Sequence, residues 1–450
     1  MSTAAGMRFR GSVDGARSVR FSANIVALMA LLLPPALLLQ RQAWVVPRTG
    51  LGTGIGLVLG AAIVLVAILL MAANMHPAVA HTGPVPPLLL AWTLALTWSL
   101  FAWSTGGLHQ LQLYALVGFT QSVAEVLLVL ALMGALAAPT RYMTFVRVLI
   151  VCGGLYGLFL VAASLIGEDI APLFRLPFLE PVGELADIES ARGGFIRPQG
   201  MAGHPLEAAA VATVLAPLAI GLARASRGPA RFWVWGCAAL LILGSLSTLS
   251  RSATVGLVVA LAFMALRWPI RTIFNSLIGA AIAAMVLVLA ASDRVITYLR
   301  LFSLDANTDS GLLSREVARD QAFRTISEHF WTGRGVSSHA LLGGRTLDNQ
   351  YLSLAAEQGV PAMIVYTLLL AVPTWVLLHR CTRLPRWERD VAIGLAGSLV
   401  AVLVCSLILD VFGFPQVRFL VFILLALVGP LLLAARRHDA PRSRARTVPG

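Results

Sequence analysis

An all-α, polytopic membrane protein of about twelve transmembrane helices is what three features of the sequence predict. The composition is 58% hydrophobic and 12% charged over 450 residues, against roughly 25% charged in soluble domains. Apolar runs of the roughly 20 residues that cross a bilayer recur along nearly the whole chain. Arginines gather in alternate connections between these runs, the pattern that sets orientation in a membrane. A water-soluble enzyme is excluded. A membrane barrel is excluded too, because it needs short strands of alternating polarity and the Leu, Ala and Val here come in unbroken blocks.

Taken in order, the spans fall near 23–40, 51–73, 86–104, 115–137, 144–167, 205–223, 232–248, 250–266, 272–291, 358–378, 391–410 and 417–435. The first has no small-residue cleavage site after it and is followed at once by further spans, so it is expected to be retained. All 34 basic residues are arginine. Arg8, Arg10, Arg17 and Arg20 precede the first span; Arg141, Arg147, Arg224, Arg227, Arg231, Arg267, Arg271, Arg380, Arg383, Arg386 and Arg389 occupy alternate connections; Arg436, Arg437, Arg442, Arg444 and Arg446 follow the last. Positive charge stays on the cytoplasmic side, which places both chain ends there and requires an even number of spans.

The expected organisation is a cytoplasmic segment 1–22, a transmembrane domain 23–435, and a cytoplasmic, solvated, disordered, arginine-rich tail 436–450. The net charge of +13 says nothing of nucleic acid, since positive-inside retention already accounts for it, and no nucleic-acid partner is expected. Cys152, Cys237, Cys381 and Cys405 contain no close-spaced pair for zinc or redox chemistry, and His329 and His339 have no partner at metal-ligand spacing, so no metal site is expected.

Two connections are long, 168–204 and 292–357, and the orientation puts both on the extracytoplasmic side. Within the second, Ser310 to Phe330 reads as an amphipathic helix over the mouth of the bundle, with Leu313, Val317, Phe323 and Ile326 available to one face.

Arginine on the translocated side runs against topology, so each one there needs a reason other than insertion. Arg251 sits in a very short turn, Leu-Ser-Arg-Ser-Ala, which holds its guanidinium at the membrane boundary or in an interior cavity. It either pairs with a loop carboxylate, snorkels, or marks a ligand path. Arg197, in Gly-Phe-Ile-Arg-Pro-Gln-Gly, is likewise tied to the start of a span. Two guanidinium groups facing one cavity suit a pyrophosphate, whose oxygens they bind in bidentate fashion. Asp348, before Asn349 and Tyr351, is placed either to take a proton from a sugar hydroxyl or to cap the next helix. His204, before Pro205, is a base, a sugar contact or a helix-end hydrogen-bonder. Glu125 lies mid-span with no second buried charge apparent, a functional candidate or a neutral, hydrogen-bonded glutamate.

These residues stand in a larger pattern. Arg197-Pro-Gln-Gly-Met-Ala-Gly-His204-Pro205, Ser250-Arg251-Ser252-Ala253, Ser314-Arg315, Gly333-Arg334-Gly335, Asp348-Asn349-Gln350-Tyr351-Leu352 and Glu357-Gln358-Gly359, in this order and spacing, resemble the O-antigen ligase and polysaccharide polymerase superfamily over residues 190–380. The resemblance implies a metal-independent, inverting membrane glycosyltransferase without a cofactor, in the bacterial plasma membrane. It would take a glycan from an undecaprenyl-pyrophosphate carrier on the outer side, with other polysaccharide assembly proteins as possible partners. Arg251 and Arg197 match arginines thought to hold the pyrophosphate, and Arg315 a further loop position. With Asp348 they form the expected catalytic group, and Arg315, His204, Arg334, Asn349 and Tyr351 the expected substrate contacts. Ligases of the family typically carry histidine where this chain has Asp348, which favours a polymerase over an O-antigen ligase.

The rival class is a transporter or flippase of lipid-linked oligosaccharide, since twelve spans with both ends inside is a common carrier plan. Its usual long central cytoplasmic loop and two similar halves are not what this sequence has. A non-catalytic scaffold is a third reading.

Overall fold

The computed structural model describes residues 24–42, 44–45, 55–72, 83–104, 109–181, 191–192, 195–290, 296, 310–335 and 347–446. In chain order its helices are α1 (Asn24–Leu38), α2 (Ile55–Ala72), α3 (Val85–Ser104), α4 (His109–Ala135), α5 (Pro139–Ile166), α6 (Pro205–Ala225) and α7 (Pro229–Ser247). There follow α8 (Arg251–Ala265), α9 (Ile270–Ala290), α10 (Ser310–Glu328), α11 (Gln350–Gln358), α12 (Val360–Arg380), α13 (Arg386–Ser406) and α14 (Pro415–Arg446). A helix lies at the place of every expected span. Among the described residues, 7 helical stretches are long and apolar enough to cross a membrane, and four further apolar helices are shorter.

The starts of these helices are written in the sequence. Pro139, Pro205 and Pro229 open α5, α6 and α7, where a missing N–H costs nothing and the fixed φ suits the first turn. His204, Ser250 and Asn349 each accept a backbone N–H as N-cap of α6, α8 and α11.

The centre of the bundle is α6 against α13, both buried along most of their length. Their close crossing depends on glycine: a Cβ on Gly221 would lie 2.5 Å from the Asp390 carbonyl oxygen, and one on Gly394 2.7 Å from that of Pro217. In lipid, where apolar side chains gain little by leaving one hydrocarbon for another, such backbone contact is what holds helices together. Around this centre pack α5, α7, α8, α12 and α14. The periphery is apolar where it faces outward; Leu90, Leu94, Trp98 and Phe101 form an exposed stripe along α3.

β-structure among the described residues is confined to two-residue pairings. Trp44–Val45 pairs antiparallel with Glu180–Pro181, joining the first connection to the first long one, and Ala191–Arg192 pairs with Phe195–Ile196.

Four expectations need correction. The inward face of α10 is Ala318, Ala322, Thr325 and Ile326, packed with Leu347, Leu352 and Ala356, whereas Val317 and Phe323 are exposed. Small alanines at four-residue spacing let α10 lie close on α11; of the bulkier residues assigned to that face, Ile326 packs there while Val317 and Phe323 do not. The helix of α14 runs on to Arg446, through residues expected to be disordered, because alanine and arginine are strong helix formers. α13 ends at Ser406, so Asp410 lies in the turn beyond it and not in the span. Glu125 is not an isolated buried acid: Arg418 reaches it at 2.6 Å. Arg48, Arg294, Arg300, Arg345 and His339 lie outside the described residues, as does most of 292–309.

Candidate functional site

Arg197, His204 and Asp348 lie within electrostatic reach of one another, and Arg197 bonds the turn that carries Arg251, where α6, α8 and α11 begin and α7 ends. The α7–α8 turn is tight. Leu249 has φ 53°, the one non-glycine residue in the left-handed region among those described. A bulky residue is held in such a conformation only when its surroundings over-determine it, and such positions cluster at functional sites. Two residues on, Arg251 opens α8, and its Nε is buried with no hydrogen-bond acceptor among the described residues. Ser250 caps the helix and its hydroxyl also meets that of Ser252 at 3.1 Å.

Arg197 comes to this same turn, its Nε donating to the Thr248 carbonyl at 3.0 Å. The two arginines, 54 positions apart in the chain, are thereby fixed on one short piece of backbone. The loop that follows Arg197 is anchored by Arg41, which is fully buried and donates to the Gly200 carbonyl at 2.8 Å and to Asp169 at 2.6 Å. At the loop's end His204 accepts the Leu206 N–H on Nδ1 at 3.0 Å and stacks on Phe414 with ring centroids 5.7 Å apart. Burial pushes the His204 pKa down, Arg197 pushes the same way, and Asp348 opposes. These influences together disfavour the imidazolium form, and the ring feels both Arg197 and Asp348.

Asp348 receives the Nε of Arg315 at 2.7 Å, from α10. The helix-capping role weighed for it belongs to its neighbour: Asn349 accepts the Leu352 N–H at 3.0 Å and donates to the Leu407 carbonyl at 2.9 Å. Tyr351 turns its hydroxyl inward to the Leu403 carbonyl at 3.0 Å, and burial pushes its pKa up to about 12. Asn349 and Tyr351 therefore spend polar atoms on fastening the Asp348 segment to the end of α13. Arg334 is held by Glu328 at 2.6 Å. Its flanking glycines serve a backbone clasp. Arg334 and Gly335 donate to the carbonyls of Ala356 and Glu357, and a Cβ on Gly333 would fall 2.3 Å from the Glu357 carbonyl carbon. The motifs Gly333-Arg334-Gly335 and Glu357-Gln358-Gly359 are the two sides of this clasp.

Sequence reasoning missed Asp410. It lies in the α13–α14 turn, accepts the Gly413 N–H at 3.2 Å, and its pKa is lifted to about 6, by burial first and Asp348 second, against the opposing pull of Gly413, Arg418 and Phe412. A carboxyl poised near neutrality beside a second carboxylate is the arrangement that proton transfer uses. The signal available in the sequence was an acid, Asp410, between two spans in Leu-Asp-Val-Phe-Gly-Phe-Pro. Arg418, also unassigned, donates to Glu125 at 2.9 Å and to Ser122 at 3.2 Å, and lies over the Phe412 ring at 5.3 Å.

Fold and site together define a helical membrane protein with a cationic and carboxylate cluster at one end of its bundle. Residues 236–367 match the family model described as O-antigen ligase, so the superfamily indicated by the motifs is supported by a domain found within the same stretch. The match supports a ligase- or polymerase-type role in polysaccharide assembly. It includes Arg251, Arg315, Arg334, Asp348, Asn349 and Tyr351, while Arg197, His204 and Asp410 lie outside it. No curated protein matches the chain.

Proposed function

We propose that the protein is a plasma-membrane glycosyltransferase that joins undecaprenyl-pyrophosphate-linked glycan repeats on the outer side of the membrane. The observation that carries this reading is the convergence of Arg197 and the Arg251 turn with His204, Asp348 and Asp410 at one end of the bundle. In this reading all twelve apolar segments cross the membrane, both chain ends are cytoplasmic, and this end of the bundle faces outward, as the arginine distribution requires.

The acceptor hydroxyl oxygen attacks the anomeric carbon of the donor sugar as the bond to the pyrophosphate oxygen breaks, with inversion. Negative charge grows on the departing pyrophosphate, and Arg197 and Arg251 supply fixed positive charge there. The hydroxyl proton passes to Asp348, with Asp410 as the adjoining carboxylate. Arg315 steers Asp348 from the loop helix, and α10 closes over the sugars to align hydroxyl and carbon. Arg334, Asn349 and Tyr351 shape this surface through the contacts described above. His204, neutral, is suited to a sugar hydroxyl.

Polymerisation is favoured because Asp348 stands where ligases of the family typically carry histidine. Transfer to a lipid or other non-repeat acceptor is the second reading, favoured by the description of the matching family. The test is Arg251→Ala in producing cells. Loss of long surface glycan with lipid-linked repeats accumulating on the outer leaflet is expected. Repeats trapped on the inner leaflet would instead identify a flippase, and unchanged glycan a scaffold. Acceptor analysis separates the two transferases: a glycan on a lipid core identifies a ligase, a lengthened carrier-linked chain a polymerase.

A further inference from the structure

The arginine half of the site, 197–204, and the carboxylate half, 348–352, come from distant parts of the chain, and among the hydrogen bonds that fix them each half has some that run to one shared segment, 407–416. Gln416, fully buried in the first turn of α14, donates through Nε2 to the Met201 and Leu37 carbonyls, each at 2.9 Å. Its Oε1 accepts the Tyr156 hydroxyl at 3.0 Å. Its backbone N–H goes to Glu207 Oε1 at 2.9 Å, and Glu207 Oε2 takes the Gly203 N–H at 2.9 Å. One glutamine thus grips the loop between Arg197 and His204 from two sides. Gln350, 2% exposed, does the same for the other half: its Oε1 accepts the Phe412 N–H at 2.5 Å and its own N–H donates to the Leu409 carbonyl at 3.1 Å. Between these two grips Phe414 stacks on His204.

We infer that Gln350 and Gln416 are a pair of positioning residues which, through the 407–416 segment, set the distance between the arginines and the carboxylates of the site. At Gln416 both ends of the amide are used, a donor and an acceptor on one rigid plane, whereas Gln350 uses its side-chain oxygen together with its backbone N–H; a carboxylate lacks the donor and a thioether is at best a weak acceptor. Neither glutamine reaches a substrate, so their effect falls on the alignment of reacting atoms and not on holding the donor. Gln416 also lies beyond the segment matched by the family, so the inference concerns a part of the chain that the match does not describe.

This rests on the proposed transferase reading, and the experiment keeps the two apart. The full chain in lipid nanodiscs is assayed with the undecaprenyl-pyrophosphate-linked repeat extracted from the producing cells, comparing Gln350→Met, Gln416→Met, the double variant, Gln416→His and Arg251→Ala. Each glutamine variant is expected to lose kcat by about 100-fold, the scale of an ångström of misalignment, with KM for the repeat kept within about threefold. The double variant is expected to be no slower than the slower single one, since both losses release the same constraint. Gln416→His, which keeps one donor and one acceptor, falls between wild type and Gln416→Met and replaces it if that variant does not accumulate. Gln40→Met, a buried glutamine whose side chain bonds the Phe174 carbonyl at 2.9 Å instead, retains kcat. Wild-type kcat in the glutamine variants, a change confined to KM, multiplying losses in the double variant, or an equal loss in Gln40→Met would each overturn the clamp. If Arg251→Ala is inactive while the glutamine variants are fully active, the clamp alone fails; if Arg251→Ala is fully active, the reading beneath it fails and takes the clamp with it.

Discussion

Two acid–arginine pairs near the same turn behave in opposite ways. Glu125 and Arg418 are buried, 1% and 13% exposed, joined in a two-pronged contact at 2.6 and 2.9 Å and capped by Ser122 and Phe412. Asp348 and Arg315 meet at 2.7 Å but are 35% and 59% exposed, with one partner on the loop helix. The first pair cannot separate without leaving a charge in an apolar interior, so it works as a fastening for the α13–α14 turn. The second is screened by water and can be remade when a charged substrate arrives. In the proposed transferase, a site that must hold its shape and still admit and release its substrate needs one of each.

The comparison breaks most visibly at the buried pair. Glu125→Leu leaves Arg418 without a counter-charge and is expected to cost about 3–5 kcal/mol, read as a large drop in thermal unfolding temperature in detergent. Combining it with Arg418→Met should restore most of that loss; if the double variant is as unstable as the single one, the pair is not what matters there. Next in size, Arg251→Ala is expected to lower transfer by about 10²–10³-fold, the effect of removing one fixed charge from a developing oxyanion, while the unfolding temperature stays put.

Asp410 sharpens the contrast through pH. Its carboxyl, raised to about 6, is neutral below that pH and ionised above it, so a role beside the proton acceptor predicts transfer that rises as pH passes upward through about 6. In Asp410→Asn this limb of the profile should vanish; an unchanged limb assigns the titration elsewhere. The smallest effect is at the exposed pair: Arg315→Ala should change stability by less than about 1 kcal/mol, because water screens it, and show instead in the turnover of glycan. A stability loss as large as that of Glu125→Leu would erase the distinction between the two pairs.

Much of this was legible in the chain. Arg197 and Arg251 stood out because arginine is costly to translocate, and Pro205, Ser250 and Asn349 announce helix starts by their own chemistry. What the sequence could not carry was partnership across distance. Glu125 read as a lone acid because Arg418 is 293 positions away, and Asp348 read as a possible cap because only the backbone shows that Asn349 fills that place. The inward face of α10 was misjudged for the same reason: size and polarity along a helix do not say that alanines, not Val317 and Phe323, meet α11.

By itself, then, the sequence determined the solvent this protein lives in, the places of its helices and the sign of charge at their ends, since these follow from local apolarity and the cost of moving arginine. Only the tertiary structure decided which of those charges share one turn, which acid is lifted toward neutrality, and which amides tie the halves together. Those depend on burial and on contacts between residues far apart in the chain, quantities that come into being only when the helices pack.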